Sequence, residues 1–487
     1  MPDQIERALR RLHAQLPRRV SLPGEHGYAA ATAIWAKPVG PMPRAVVHCQ
    51  TTEDVQLAIR TARDCGLPLS VRGGGHHSAG LALCAGIVID LSGMNGVSAN
   101  TDHRSAIISG GARAADVAAV TDPLSVAAVT GTCSAVGMAG LTLGGGYGPL
   151  IGRFGLALDN LLAAEVVLAD GRVVVADEAN EAELFWALRG GGGNFGVVTA
   201  MRCRLHDVPS IRSGMLVYPF AEARAVLRRS ADIAASSSED LTVEFACIGG
   251  PDGKPVVIVL PTWCGAPADG EARVAPFLKL GTLLAGNLEA ISYGTLLTLY
   301  DPYIVNGRRV FMDTCWLSEL DNANIDVFVE AMDSAASAQC ALITHEFKGA
   351  ASRVPAEATA FGLRRDHVVV EIFATFVDRS DKEEEQWHRQ WPRATRQAFA
   401  PTALPGGYPN FLLADDADRV AKSYGPNAER LIAAKRHYDP DNIFNSAIPL
   451  PAADAEPPDP ALSRSALYSA IGRSSSRAAG KRYRARF

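Results

Sequence analysis

Two glycine-built stretches carry the residues best suited to chemistry. Val71-Arg72-Gly73-Gly74-Gly75-His76 ends on a histidine, and Gly131-Thr132-Cys133-Ser134-Ala135-Val136-Gly137 holds a cysteine. Consecutive glycines carry no Cβ, so backbone N–H groups can turn together toward an anion such as a pyrophosphate. A nucleophilic side chain at the edge of such a loop faces whatever the anion belongs to. Imidazole and thiolate are the two good side-chain nucleophiles near neutral pH, and their placement points to one cofactor gripped from two loops. The plainer alternative makes His76 a loop-stabilising hydrogen bonder and Cys133 a small buried thiol. His77 reads as a polar loop residue.

With these loops the chain resembles the berberine-bridge-enzyme-like flavoproteins, within the FAD-linked oxidases related to vanillyl-alcohol oxidase. The resemblance spans about residues 20–450 and is strongest at Val71 to Gly80, Gly131 to Asn160, Leu184 to Val198 and Asn427 to Phe444. It implies FAD attached twice, through His76 to the flavin 8α-methyl and through Cys133 to flavin C6. Both flavin positions are electrophilic in the oxidised ring, which gives a reason for these two residue types. The resemblance further implies FAD contacts from Arg72, Gly73, Gly74, Gly75 and Gly80 on the first loop, and from Thr132, Val136, Gly137 and Gly140 on the second. Gly145, Gly146, Asn160, Gly193, Gly196, Val198 and Asn410 complete the expected cofactor set.

For catalysis the resemblance implies active-site roles for Tyr147, in Gly144-Gly145-Gly146-Tyr147-Gly148, and for Tyr408. Many family members end in Tyr-x-Asn-Tyr, with the last tyrosine as base; here the run is Tyr408-Pro409-Asn410-Phe411. Phe411 cannot take a proton. The base is then Tyr147, Tyr408 or another group such as His345 or Glu371, or an amine substrate ionises without help. Val136 stands where the family's valine leaves room for oxygen, which favours an oxidase making hydrogen peroxide over a dehydrogenase. The expected partners are a small or medium organic substrate, of nitrogen-containing or polyketide-like type, and molecular oxygen. A competing reading, kept alive by Phe411, is a flavin-containing protein that sequesters a toxic or reactive metabolite.

Gly191-Gly192-Gly193-Asn194-Phe195-Gly196 matches GxGxxG, but a helical pattern precedes it and a strand pattern follows. A dinucleotide-binding Rossmann turn needs the reverse order, so no nicotinamide site is expected there.

The chain around these residues has 487 positions, 48% of them hydrophobic, and a formal charge of −5. It can bury a large core, and its charge offers no general attraction to nucleic acid or to an anionic membrane. Nine cysteines are scattered with no CxxC pair. That argues against a disulfide framework and a metal site and fits a reducing cytoplasm. Neither a signal peptide nor an apolar run of about 20 residues is read.

The expected fold class is α+β: a two-part PCMH-type FAD-binding domain from residues 1–205 and 411–450, and a substrate domain at 206–410 with an antiparallel sheet covered by helices. Thr51-Thr52-Glu53-Asp54 starts a helix with Val55, Ile59 and Ala62 on one face, ended by Gly66 before a strand at Leu67 to Val71. Leu162 to Leu168 and Val173 to Val175 flank an Asp170-Gly171 hairpin turn. Phe185 and Trp186 read as core aromatics. Helices are predicted at Ala221 to Ala235, Asp326 to Ala338 and Asp416 to Lys435. Strands are predicted at Pro255 to Leu260, Val310 to Met312 and Val368 to Phe376. Residues 451–487, rich in Pro, Ala, Ser and Arg, read as a disordered tail.

Overall fold

A computed structural model describes residues 2–451, apart from 38, 39, 41, 251, 336, 377–381 and 414. Beyond Pro451 the predicted tail lies outside the described residues. Strands Ala45–His48, Ile87–Asp90 and Leu69–Arg72 pair in parallel, with Val20–Ser21 antiparallel on the Ala45–His48 edge. The helix Thr52–Asp64 crosses between two of them. Its start is set by a reciprocal capping box of Thr51 and Asp54, and Val55, Ala58, Ile59 and Ala62 are buried on one face. The Gly73–His76 loop therefore leaves the C-terminal end of a parallel strand, where ligands of parallel sheets commonly sit.

A second sheet is antiparallel, in the order Val97–Ala99, Ser105–Ser109, Val197–Arg204, Leu161–Val167, Val173–Ala176. Its last two strands are the predicted Asp-Gly hairpin. The helix Ala182–Gly191 precedes Val197–Arg204 and buries Phe185 and Trp186. Helix–glycines–strand is thus the order around Gly191–Gly196, as the sequence pattern requires.

The third major sheet has nine strands, all between Ile211 and Leu404. Its central antiparallel run joins Pro255–Trp263, Leu241–Gly249, Cys340–Phe347, His367–Phe376 and Arg309–Leu317. Side chains alternate between faces. Val243, Phe245 and Cys247, Leu342, and Val370, Ile372 and Ala374 pack under helices Ala223–Ala235, Asn322–Asp333 and Lys382–Phe399. The intervening residues Glu244, Ile343, His345, Glu371, Phe373 and Thr375 line a cavity on the other face.

Two helix boundaries differ from expectation. Asp321 accepts from the Asn324 N–H and starts its helix four residues before Asp326, which then ends at Asp333 rather than Ala338. The expected continuous helix Asp416 to Lys435 is two, Ala417–Tyr424 and Ala428–Tyr438. Gly425, at φ +50°, and Pro426 break it, because neither suits a helix interior.

Candidate active site

The two glycine loops meet backbone to backbone. A Cβ on Gly74 would lie 2.3 Å from Gly137 N, and a Cβ on Gly137 would lie 2.3 Å from Gly74 N. Only glycine fits at either place, which is what brings the histidine loop and the cysteine loop to one site. Gly75 adds a positive φ of +65°. His76 stacks on Trp35 with ring centroids 4.5 Å apart, and its buried Nε2 has no hydrogen-bond partner among the described residues. Burial, with Arg113 adding, lowers its pKa to about 4, so the ring is neutral and keeps a nucleophilic lone pair.

Cys133 is buried, and burial raises its thiol to about 11; the N–H groups of Ala135 and Val136 oppose that shift.

Both residues open on a cavity of about 620 Å³, within the range of small-molecule and cofactor sites. The same cavity is lined by Gly73, Gly74, Gly75, Thr132, Val136, Gly137, Gly140, Gly193, Gly196, Val198, Asn410, Tyr147 and Tyr408. Gly140 and Gly193 have nothing within 4 Å of a would-be Cβ, so their backbones face open space that an extended ligand can approach. The neutral histidine with an unpaired nitrogen, the bare glycine walls and the volume together fit a bound FAD.

Five expected contacts do not line the cavity. Arg72 donates to Ala31 O at 2.8 Å, and Gly80 closes a turn onto His77 O. Gly145 lies against the Tyr408 ring, and the Gly146 N–H donates to Tyr408 Oη at 2.8 Å. Asn160 donates to Phe154 O and Leu156 O and pairs with His206 Nε2. These residues shape loops or the tyrosine instead. His77 lines the cavity: its Nδ1 accepts from the Ala79 N–H.

Tyr147 and Tyr408 stand edge to face, 4.7 Å between ring centres. His367 Nδ1 bonds Arg365 O and so carries the proton, which leaves Nε2 to accept from Tyr147 Oη at 2.7 Å. Burial lowers His367 to about 3 and pushes the Tyr147 phenol well up. Tyr408 Oη accepts from Gly146 N and from Asn410 Nδ2 at 2.9 Å, and burial raises its phenol too. Neither tyrosine is ionised near neutral pH, so neither is suited to take a proton.

Three adjacent strands supply a better acceptor. His345 Nδ1 lies 3.1 Å from Glu244 Oε2, and His345 Nε2 lies 3.0 Å from Glu371 Oε1. All three residues are buried and line the cavity. Burial opposes a charge on His345, but Glu244 and Glu371 outweigh it and raise the imidazole to about 10. An imidazolium and two carboxylates together carry one formal negative charge. His345 and Glu371 were candidates from sequence; Glu244 was missed. Its one signal is a carboxylate inside the strand-like run Leu241-Thr242-Val243-Glu244-Phe245. Trp35 and Tyr300, which also line the cavity, carried no comparable signal.

This is the fold and site of a flavin-dependent oxidoreductase, and comparison with known proteins agrees. Residues 43–177 match the FAD binding domain family, and residues 407–451 match the family described as berberine and berberine like. The (R)-6-hydroxynicotine oxidase of Paenarthrobacter nicotinovorans is 31% identical over 445 residues, covering 87% of this chain and 94% of that one. The FAD-linked oxidoreductase pgmH of Aspergillus terreus is 29% identical over 463 residues, covering 88% and 92%. Among solved structures, 6-hydroxy-D-nicotine oxidase from Arthrobacter nicotinovorans superposes with a TM-score of 0.80 at 28% identity, covering 88% of this chain and 97% of that one. Physcomitrella patens BBE-like 1 shares the fold, with a TM-score of 0.81 at 23% identity and coverage of 91% and 99%.

The chain belongs to the berberine-bridge-enzyme-like family of FAD-linked oxidoreductases. It is an FAD-binding enzyme of α+β fold, as the motifs implied. Among the described residues, no helix is long and apolar enough to cross a membrane.

Proposed function

We propose that the protein is an oxidase of a small, amine-bearing organic molecule, with FAD joined to both His76 and Cys133 and oxygen as the second substrate. The observation that carries this reading is the single cavity lined both by the two touching glycine loops and by the Glu244–His345–Glu371 cluster. Residues 1–205 and 411–450 would hold the cofactor, and 206–410 the substrate. Gly73–Gly75, Thr132, Gly137, Gly140, Gly193, Gly196, Val198 and Asn410 would cradle it.

Bound FAD supplies a hydride acceptor and the onward route for electrons. The chain's residues do the rest. One net negative charge in a partly apolar cavity favours a cationic ligand over a neutral sugar or alcohol. Glu371 Oε1 is engaged by His345, and its other oxygen has no protein hydrogen bond among the described residues. Glu371 would take the ammonium proton, freeing the lone pair that drives hydride loss from the adjacent carbon. Tyr147, fixed as a donor to His367, can only accept from the substrate and would orient it. Val136 leaves oxygen access and favours peroxide formation. Nine cysteines, none of them in a disulfide, support a reducing, cytoplasmic setting.

The test mixes the holoenzyme anaerobically with matched secondary amines, alcohols and quinols, then admits air. Bleaching by amines, followed by recovery and peroxide release, is expected. Tight amine binding without bleaching would instead favour the sequestration reading.

A further inference from the structure

Behind the glutamate–histidine cluster lies a second, much smaller pocket of about 10 Å³, lined by Gly148, Pro149, Thr242, Glu244, Thr262 and His345 among others. That is about the smallest space that admits one water molecule. Two buried polar atoms without protein partners belong to its walls, Glu244 Oε1 and Thr242 Oγ1. On the same walls Thr262 Oγ1 is paired with Ser213 Oγ, and Glu346 Oε2 with the Val243 N–H and Lys348; the Tyr300 hydroxyl, which faces Glu244 from the main cavity, also has no partner among the described residues. An ionised carboxylate oxygen left unpaired in the interior is costly, and a hydroxyl less so; one water bonded to both removes both costs.

We propose that this pocket is a water site, its molecule bonded to Glu244 Oε1 and Thr242 Oγ1, and that the water-anchored Glu244 is a positioning residue acting on Glu371 through His345. The proposal rests on Glu371 as the proton acceptor of the proposed reaction. Glu244 is on the strand next to His345, and His345 on the strand next to Glu371. Glu244 Oε2 lies 3.1 Å from His345 Nδ1 and steadies the imidazole from that side, while Nε2 bonds Glu371 at 3.0 Å. Its negative charge raises the proton affinity of the His345–Glu371 pair as a unit, making the pair the stronger acceptor. The groups facing this pair are Glu244, Tyr300, Tyr408 and Cys133. Tyr300, Tyr408 and Cys133 are each close enough to a cluster carboxylate for their own ionisation to be disfavoured. Tyr300, Tyr408 and Cys133 stay neutral, so Glu244 is the charge that tunes the pair.

The experiment uses holoenzyme labelled with ¹⁵N-histidine, which gives signals for 11 histidines; the one lost in His345→Gln is His345. Glu244→Gln keeps the side-chain shape and removes the charge. Its expected effect is to move the His345 titration, and the acid limb of kcat/KM, to lower pH by about one unit. Thr242→Val should shift both in the same direction by less. A high-resolution crystal structure should show one ordered water between Thr242 and Glu244, lost in Thr242→Val. A His345 titration that is identical in the unmodified protein and Glu244→Gln would overturn the proposal, as would a dry pocket. Should Glu371→Gln turn over amines at the full rate, the acceptor reading falls, whereas the imidazole signals still decide the role of Glu244.

Discussion

Gly74 and Gly137, 63 positions apart in the chain, touch so closely that neither can carry a Cβ. This contact joins the end of a parallel strand to the cysteine loop, and everything proposed for the cofactor depends on it. Gly137 has an ordinary φ of −71°, so its glycine is demanded by space rather than by backbone conformation. Gly137→Ala is expected to separate the loops, to cost about 1–3 kcal/mol of stability, and to lower flavin content. Denaturant midpoints and the absorbance ratio of flavin to protein measure the two effects. Wild-type flavin occupancy in the variant would show that the contact is not needed to build the site.

Glu371→Gln should cut kcat/KM for an amine by about 10²–10⁴-fold, the usual worth of a positioned base. Amine binding should weaken as well, because the cluster loses its net negative charge. Stopped-flow reduction rates separate the two contributions. A loss confined to KM would make Glu371 a binding residue only.

Tyr147→Phe is expected to act differently. The phenol is not the base, so the main loss is the hydrogen bond to His367, whose Nε2 would be left buried and unpaired at a cost of about 1–3 kcal/mol. Stability should fall more than the rate of flavin reduction. A collapse of the reduction rate with unchanged stability would return Tyr147 to the role of proton acceptor.

Folding stability should carry the mark of His345. Its pKa is raised from 6.5 to about 10 in the folded protein. The contribution is therefore complete below about pH 6.5 and is lost as pH rises through 10. Urea midpoints measured between pH 6 and 10.5 should fall with rising pH in the unmodified protein and fall less in His345→Gln. Parallel curves for the two proteins would contradict the charged-cluster assignment.

Much of this site was legible because its parts are local. The glycine run ending in His76 and the glycine-flanked Cys133 declare a backbone that approaches something closely, and the Asp170-Gly171 hairpin and Thr51–Asp54 cap announce themselves within a few residues. The cavity's far wall was not legible in that way. Glu244 and His345 lie on paired strands about a hundred residues apart, and Glu371 lies 26 residues beyond His345, so their meeting is set by sheet register. His345 and Glu371 were visible as candidates but not as partners. Gly80, Asn160 and Arg72 err in the opposite sense: they sit in motifs that shape the loops, while their own atoms turn away from the cavity.

The most direct test of the double attachment is mass mapping of proteolytic peptides from acid-precipitated holoenzyme. The His76 and Cys133 peptides are expected to be cross-linked through one flavin, with His76→Ala and Cys133→Ala each retaining a single link. Free FAD in the acid supernatant, with both peptides at their unmodified masses, would contradict it.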